Sequence, residues 1–182
     1  MTSEKIVSLF PGIEKIHNED IKQKTVNAIK VAAEIGGWND ETLESCPMTM
    51  NWSGSDVKLL EHINTTVDVC LSSYKVMEEL LLRHNADFSY DVMLSGALLH
   101  DIGKFCECMC VDGVPTKGDT KIMRHPLLGA IIASKADLPD RIVNLIAVHG
   151  FEGDNSFMTP EAEFVKRCDI LAFYTALYGV KK

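Results

Sequence analysis

Two adjacent side chains that commonly bind metal ions stand at the end of an apolar stretch in the middle of the chain. Residues 92–99 are almost entirely apolar, as expected for a buried helix, and His100 and Asp101 follow directly. An imidazole and a carboxylate buried together cost free energy unless something satisfies them. A metal ion does so, because neutral imidazole and carboxylate are both good ligands. The pair therefore predicts a metal site at the end of this helix.

Other residues of the same chemical types stand in or beside separate apolar, periodic segments. They are His62 upstream and His125, His149 and Asp169 downstream. No two of them are three or four residues apart, so a site assembled from several helices of a bundle is expected. Taken singly, His125 or His149 could equally be a core histidine satisfied by a hydrogen bond. His17 and His84 stand beside asparagines and are predicted to lie at the surface.

Helical periodicity dominates the chain, and strand signals are scarce. We expect helices over 20–36, over 55–84 with Ser55 as N-cap, and over 90–102 with Gly103 at the C-terminal position. Three more helices are predicted to begin at Pro126, at Pro139 and around Thr159-Pro160, where prolines and an N-cap residue mark the first turns. The predicted fold class is all-α.

Two irregular stretches separate the predicted helices. Residues 37–54 contain breakers and favour at most a short helical turn near Glu41 to Ser45. Residues 104–121 form the longest connection, and Asp112-Gly113 with Pro115 favours a small hairpin or lid. We expect an N-terminal helical extension over residues 1–50 and one helical domain over residues 51–182.

Composition excludes several classes of partner. The 182 residues carry 26 acids against 18 bases, a net charge of −8. That balance argues against binding to nucleic acid or to an anionic membrane, which needs a basic face. It permits a small anionic substrate, because bound divalent ions reverse the sign of the charge locally. The sequence shows no secretory signal and no long apolar run, so a cytoplasmic protein with reduced cysteines is expected.

The ordered residues His62, His100-Asp101 and Asp169 resemble the ligand pattern of the HD-domain superfamily of metal-dependent phosphohydrolases. The run His100-Asp101-Ile102-Gly103-Lys104 is similar to the HDIG form of that pattern. The resemblance covers roughly residues 55–178 and implies an HD-domain helical bundle. It also implies a first metal ion bound by His62, His100, Asp101 and Asp169.

The intervening histidines make the chain similar to the two-metal subgroup of this superfamily. The resemblance implies that Asp101 bridges the metals and that His125 and His149 bind the second ion. Two such ions lower the pKa of a bound water and stabilise charge on a phosphoryl oxygen. The implied reaction is hydrolysis of a phosphate ester of a nucleotide or small metabolite by metal-bound hydroxide. Asp101 and Lys104 are the candidate catalytic residues. Lys104 would bind a phosphate oxygen or protonate the leaving group. The alternative interpretation of Lys104 is an exposed lysine that favours the helix C-terminus.

Two other functions fit the same residues. The ligand set also resembles the di-iron oxygenases of the superfamily, such as inositol oxygenase and a phosphonate-cleaving relative. A ligand-sensing domain that keeps its metal is a third interpretation. The predicted cofactors are two divalent transition metal ions: iron or manganese first, with nickel, cobalt or zinc also suited to imidazole and carboxylate.

The connections between the predicted helices contain weaker candidates for functional residues. Arg124, Lys117 and Lys121 are possible phosphate ligands, for each of which a solvated surface role is the alternative. The residues 150–154 could line the mouth of the site or form a plain surface loop. Cys106, Cys108 and Cys110 would share one face of a strand, but their one-residue spacing is unusual for structural zinc, which favours loop cysteines over a thiolate site.

Overall fold

The computed structural model describes residues 1–51, 56–84, 87–119 and 122–178. These residues form α-helices joined by short connections, with one two-stranded hairpin. The fold class is therefore all-α, as predicted. The helices are α1 Ser3–Leu9, α2 Glu19–Ile35, α3 Leu59–His84, α4 Tyr90–Leu99, α5 Lys104–Glu107, α6 His125–Lys135, α7 Asp140–Val148 and α8 Pro160–Ala176. Short 3₁₀ turns occupy Pro11–Lys15, Leu43–Ser45 and Phe151–Gly153.

Helix α4 lies at the centre of the bundle. The Ser89 side chain caps it by accepting a hydrogen bond from the backbone N–H of Val92, and every residue from Val92 to Leu99 is buried. It packs against α2, α3, α7 and α8. A Cβ at Gly96 would lie 2.3 Å from Leu145 Cδ1, so glycine lets α7 approach closely. The C-terminal end of α4 therefore delivers the next two residues into the middle of the protein.

The prediction that this helix continues to residue 102 is wrong. Helix α4 ends at Leu99, a turn follows, and the short helix α5 begins at Lys104. Gly103 is therefore the residue before a new helix rather than the C-terminal cap of the old one. A Cβ at Gly103 would lie 2.1 Å from the His125 carbonyl oxygen, so the glycine is needed for close approach of α6.

The long helix α3 begins later than predicted. Its first residue is Leu59, and the backbone N–H of Lys58 donates to Glu61 Oε2 at 2.9 Å, as in a capping interaction. The proposed N-cap, Ser55, and the breaker Gly54 lie outside the described residues. The late start places His62 in the first turn of the helix, where it is 2% exposed.

The N-terminal residues contain more structure than the sequence indicated. Helix α1 and the turn Pro11–Lys15 precede the helix predicted over 20–36, which is observed as Glu19–Ile35. Ile6, Phe10 and Ile13 are fully buried and belong to the same hydrophobic cluster as α4. The division of the chain near residue 50 stays a prediction, and residues on both sides of it contribute to this cluster.

The predicted hairpin is confirmed, but it is smaller than the connection. Strands β1 Cys108–Val111 and β2 Val114–Lys117 pair antiparallel around Asp112-Gly113, which both adopt positive φ. Cys106 lies in α5, so the expectation that Cys106, Cys108 and Cys110 share a strand face is wrong. Among the described residues, no cysteine belongs to a group able to hold a metal ion.

The last three helices begin within one residue of their predicted starts. Thr159 caps α8 as predicted, accepting a hydrogen bond from the backbone N–H of Ala162 at 3.2 Å. His125 is itself the first residue of α6 rather than the residue before it. Within the described ranges, no helix is both long and apolar enough to cross a membrane.

Candidate metal centre

Six side chains from separate parts of the chain meet at the centre of the bundle. His62 comes from the first turn of α3, and the turn after α4 supplies His100 and Asp101. The other three are His125 at the start of α6, His149 just after α7, and Asp169 within α8. The structure therefore brings together all six residues predicted to bind metal. They form two groups of potential ligands, His62/His100/Asp101/Asp169 and Asp101/His125/His149, whose ligand atoms lie within 4.8 Å of one another in each group.

The first group is tightly packed around the Nε2 atom of His62. This atom lies 3.0 Å from Asp169 Oδ1, 3.1 Å from Asp101 Oδ2 and 3.2 Å from His100 Nε2. Ligand atoms about 2.1 Å from a common ion lie about 3.0 Å apart when they meet at right angles. The observed separations are therefore those of side chains arranged around one cation.

Asp101 divides its carboxylate between the two groups. Its Oδ2 faces His62 and His100, at 3.1 and 3.4 Å from their Nε2 atoms. Its Oδ1 faces the Nε2 atoms of His125 at 3.3 Å and His149 at 3.5 Å. One oxygen per group is the arrangement expected of a carboxylate that bridges two ions.

Three of the imidazoles are held so that Nε2 points inward. His100 Nδ1 lies 2.7 Å from the carbonyl oxygen of Ala97, and His149 Nδ1 lies 2.8 Å from that of Ile146. His125 Nδ1 lies 3.1 Å from Glu107 Oε2. Because carbonyl and carboxylate oxygens only accept, each Nδ1 carries the proton and a neutral ring keeps its Nε2 lone pair for a metal.

The residues fit divalent metal ions. Asp101 is 1% exposed; Lys104 Nζ lies 2.6 Å from its Oδ2, whereas its Oδ1 has no partner in hydrogen-bonding geometry among the described residues. Two imidazole Nε2 atoms facing each other at 3.2 Å also need a shared cation or a proton between them. Buried carboxylates and imidazoles in this state are stabilised by ion binding. The donor set of imidazole and carboxylate suits transition metals such as iron, manganese, nickel, cobalt and zinc.

Charges in the centre shift the pKa values of its residues strongly. Burial alone would lower the pKa of His100, but Asp101 and Asp169 outweigh it and raise the pKa to about 10. Burial would raise the pKa of Asp101, yet Lys104 and His100 hold it well below its usual value. Burial lowers the pKa of His125, against the opposing effect of Glu107. Without a metal, a proton on His100 therefore takes part of the role of the cation.

Lys104 lies inside the centre rather than at the surface. Its Nζ is 2.6 Å from Asp101 Oδ2, and its side chain is 11% exposed. The same ammonium lies 5.4 Å from the centroid of the Phe173 ring. The position one turn after Asp101 brings the amine to the metal ligands, so the alternative of an exposed lysine is wrong.

A cavity of about 790 Å³ opens next to His125 and Lys104. Lys117 and Arg124 also line it, so two of the three weaker phosphate-binding candidates face this space, while Lys121 lies outside the described residues. Its other walls include three aromatic rings and two methionines: Phe151, Phe173, Tyr174, Met48 and Met50. The cavity thus joins a cationic region beside the metal ligands to an apolar region.

The loop over residues 150–154 borders this cavity. The Arg124 guanidinium stacks 4.4 Å from the Phe151 ring centroid and pairs with Glu152. Behind the loop, the buried Lys166 donates hydrogen bonds to the Gly150 carbonyl oxygen and to Asp154. The expectation that this segment lines the mouth of the site is therefore confirmed for Phe151.

Sequence reasoning missed several residues of this region. Phe173 lies one turn after Asp169, and its ring meets that of His62 edge to face at 5.9 Å between centroids. The i, i+4 spacing from a predicted ligand was the available signal. Glu107 carried no comparable signal, because its contact with His125 depends on how two connections fold.

The family profile described as HD domain matches residues 68–174. This match covers more than half of the chain, and the chain therefore belongs to the HD domain family. It includes His100, Asp101, His125, His149 and Asp169, and it begins after His62. The resemblance read from the ligand pattern is thus confirmed.

The chain is also similar in sequence to a curated phosphodiesterase. The chain is 27% identical over 164 residues to a dihydroneopterin 2′,3′-cyclic phosphate phosphodiesterase of Methanocaldococcus jannaschii. The aligned region covers 87% of this chain and 63% of the relative, so the chain spans less than two thirds of that protein's length. No solved structure matches the chain significantly.

Proposed function

We propose that this protein is a metal-dependent phosphohydrolase that cleaves a phosphate ester of a small metabolite. The observation that carries the proposal is the division of Asp101 between two groups of ligands, next to a cavity lined by cations. The similarity to a phosphodiesterase of the same family supports hydrolysis over the oxygenase and sensor alternatives.

Two ions fit the centre, the first held by His62, His100, Asp101 and Asp169 and the second by Asp101, His125 and His149. When bound, such ions supply an activated water and positive charge for a phosphoryl oxygen. The protein's own contribution is to fix the ligands on three helices, α3, α6 and α8, and at the C-terminal ends of two more, α4 and α7. Burial of the ligands keeps bulk water from screening these charges.

The cationic side of the cavity receives the phosphate. Lys104 stands between the metal ligands and the cavity, so its ammonium binds a phosphoryl oxygen as substrate enters. Arg124 and Lys117 line the same space and attract the anion, while Glu107 and Asp119 are the acids among the lining residues. Hydrolysis forms one bond from the water oxygen to phosphorus and breaks one P–O ester bond, and the departing oxygen takes a proton.

The apolar side of the cavity receives the rest of the substrate. Phe173 and Tyr174 with Met48 and Met50 provide flat and adaptable apolar surface for a planar ring. A pterin phosphate of the kind named for the relative has such a ring at one end and a cyclic phosphodiester at the other. We therefore propose a cyclic phosphodiester of a planar heterocyclic compound as the substrate.

The test is a comparison of phosphate compounds with protein loaded with Mn²⁺ or Fe²⁺. Cyclic 2′,3′-phosphodiesters of pterins and nucleosides are compared with the matching monoesters, and products are followed by chromatography. We expect ring opening of a cyclic ester, and His100→Ala should abolish turnover while circular dichroism shows an unchanged helical fold. Retained activity in that variant refutes the mechanism. Oxygen uptake by iron-loaded protein without ester cleavage refutes the function in favour of an oxygenase.

A further inference from the structure

The Glu107 side chain contacts one of the candidate metal ligands, His125. Glu107 is the last residue of α5, six residues after Asp101, and its side chain is 26% exposed. Its Oε1 accepts a hydrogen bond from the backbone N–H of His125 at 2.8 Å, and its Oε2 lies 3.1 Å from His125 Nδ1. Its own carbonyl oxygen accepts from the Gly118 N–H at 2.8 Å. One carboxylate therefore holds both the backbone and the ring of a predicted metal ligand.

This contact differs in kind from those of the neighbouring imidazoles. His100 and His149 each donate to a backbone carbonyl oxygen three residues earlier in their own segment. Those acceptors are part of the main chain and carry no formal charge. His125 instead donates to a side-chain carboxylate from a different helix. A charged acceptor orients the ring more strongly and makes the opposite nitrogen a better electron donor.

We infer that Glu107 is a positioning residue that sets the affinity of the second metal ion. The inference rests on the proposed two-ion centre, because His125 belongs to the group Asp101/His125/His149 and not to the first group. Glu107 fixes the tautomer of His125 with the proton on Nδ1 and directs Nε2 towards Asp101 Oδ1, 3.3 Å away. It does not bind the ion itself.

The inference predicts an unequal effect on the two ions. Loss of such a carboxylate partner typically weakens metal binding about 10- to 100-fold. We expect that weakening for the second ion in Glu107→Ala, with the first ion bound as in the wild type. Glu107→Gln keeps an oxygen that can accept one hydrogen bond but removes the charge. Its affinity for the second ion should therefore lie between those of the wild type and Glu107→Ala.

The experiment is a titration of metal-free protein with Mn²⁺, in which electron paramagnetic resonance measures free Mn²⁺ and gives the affinity of each site. Asp119→Asn is the matched control, because Asp119 lines the same cavity and its substitution removes the same charge, whereas the carboxylate hydrogen-bonded to His125 is that of Glu107. We expect that variant to bind both ions like the wild type. Circular dichroism monitors folding. If Glu107→Ala fails to fold, Glu107→Gln takes its place in the titration.

The outcomes separate this inference from the proposed function. Two ions bound equally well by the wild type and both Glu107 variants overturn the role of Glu107 alone. Equal weakening of both ions also overturns it, because it indicates a general structural effect. A wild-type protein that binds fewer than two ions overturns the two-ion centre and the role of Glu107 together. Weaker binding of the second ion alone, with the first bound as in the wild type, supports both.

Discussion

Metal binding should release a proton from His100. In the metal-free protein, Asp101 and Asp169 overcome the effect of burial and raise the pKa of His100 to about 10. Because pH 7 is about three pH units below this pKa, the ring is protonated in all but about one molecule in 1,000. An ion can use the Nε2 lone pair only after that proton leaves, which costs about 4 kcal/mol at pH 7.

The direction of the pH dependence follows from this shift. Because the pKa is raised, the cost of removing the proton falls as pH rises towards 10. Apparent affinity for the first ion should therefore rise about tenfold for each pH unit between 7 and 9. His125 adds no proton near neutrality, because burial lowers its pKa.

Calorimetry measures this release directly. Metal-free protein is titrated with Mn²⁺ at pH 7.5 in two buffers whose ionisation enthalpies differ. The difference in binding enthalpy divided by the difference in ionisation enthalpy gives the number of protons released, and we expect about one from His100. A binding enthalpy that is the same in both buffers would show that no proton leaves, and the charge balance inferred for the centre would then be wrong.

Three substitutions test other parts of the structure. Lys104→Met should lower kcat/KM about 100-fold with both ions still bound, since a donor to the phosphoryl group is lost; unchanged steady-state kinetics would contradict its role. Gly96→Ala should lower the free energy of unfolding by about 1–3 kcal/mol in urea, because the new Cβ would lie 2.3 Å from Leu145 Cδ1. Glu161→Gln should lower the free energy of unfolding by about 2 kcal/mol, because the fully buried carboxylate accepts two hydrogen bonds from Arg141 at 2.7 Å. A free energy of unfolding equal to that of the wild type would show that this ion pair is dispensable.

The sequence predicted the features that depend on local chemistry. His100-Asp101 stood out because a polar pair directly after a buried helix needs a partner, and Thr159 because an N-cap acts on the next few residues. The exposed positions of His17 and His84 were also predicted correctly from their polar neighbours. The structure brings the six predicted ligands together, and their binding of metal stays a prediction.

Features that depend on distant contacts could not be predicted in the same way. A glycine after an apolar run is typical of a helix C-cap, and only the approach of His125 shows why Gly103 is there. Helix α1 has seven residues, too few to display a helical period. The cavity walls around Met48, Phe151 and Tyr174 come from three connections or helix ends, so no local pattern groups them.

The close approach at Gly103 has a consequence for the spacing of the candidate metal ligands. A Cβ on residue 103 would lie 2.1 Å from the carbonyl oxygen of His125 and 2.8 Å from the backbone nitrogen of Gly129. The turn that carries Asp101 and the start of α6 are thus in direct main-chain contact, with no adaptable side chain between them. This contact does not depend on side-chain rotamers, so the backbone sets the distance between the turn that carries Asp101 and the start of α6, which carries His125.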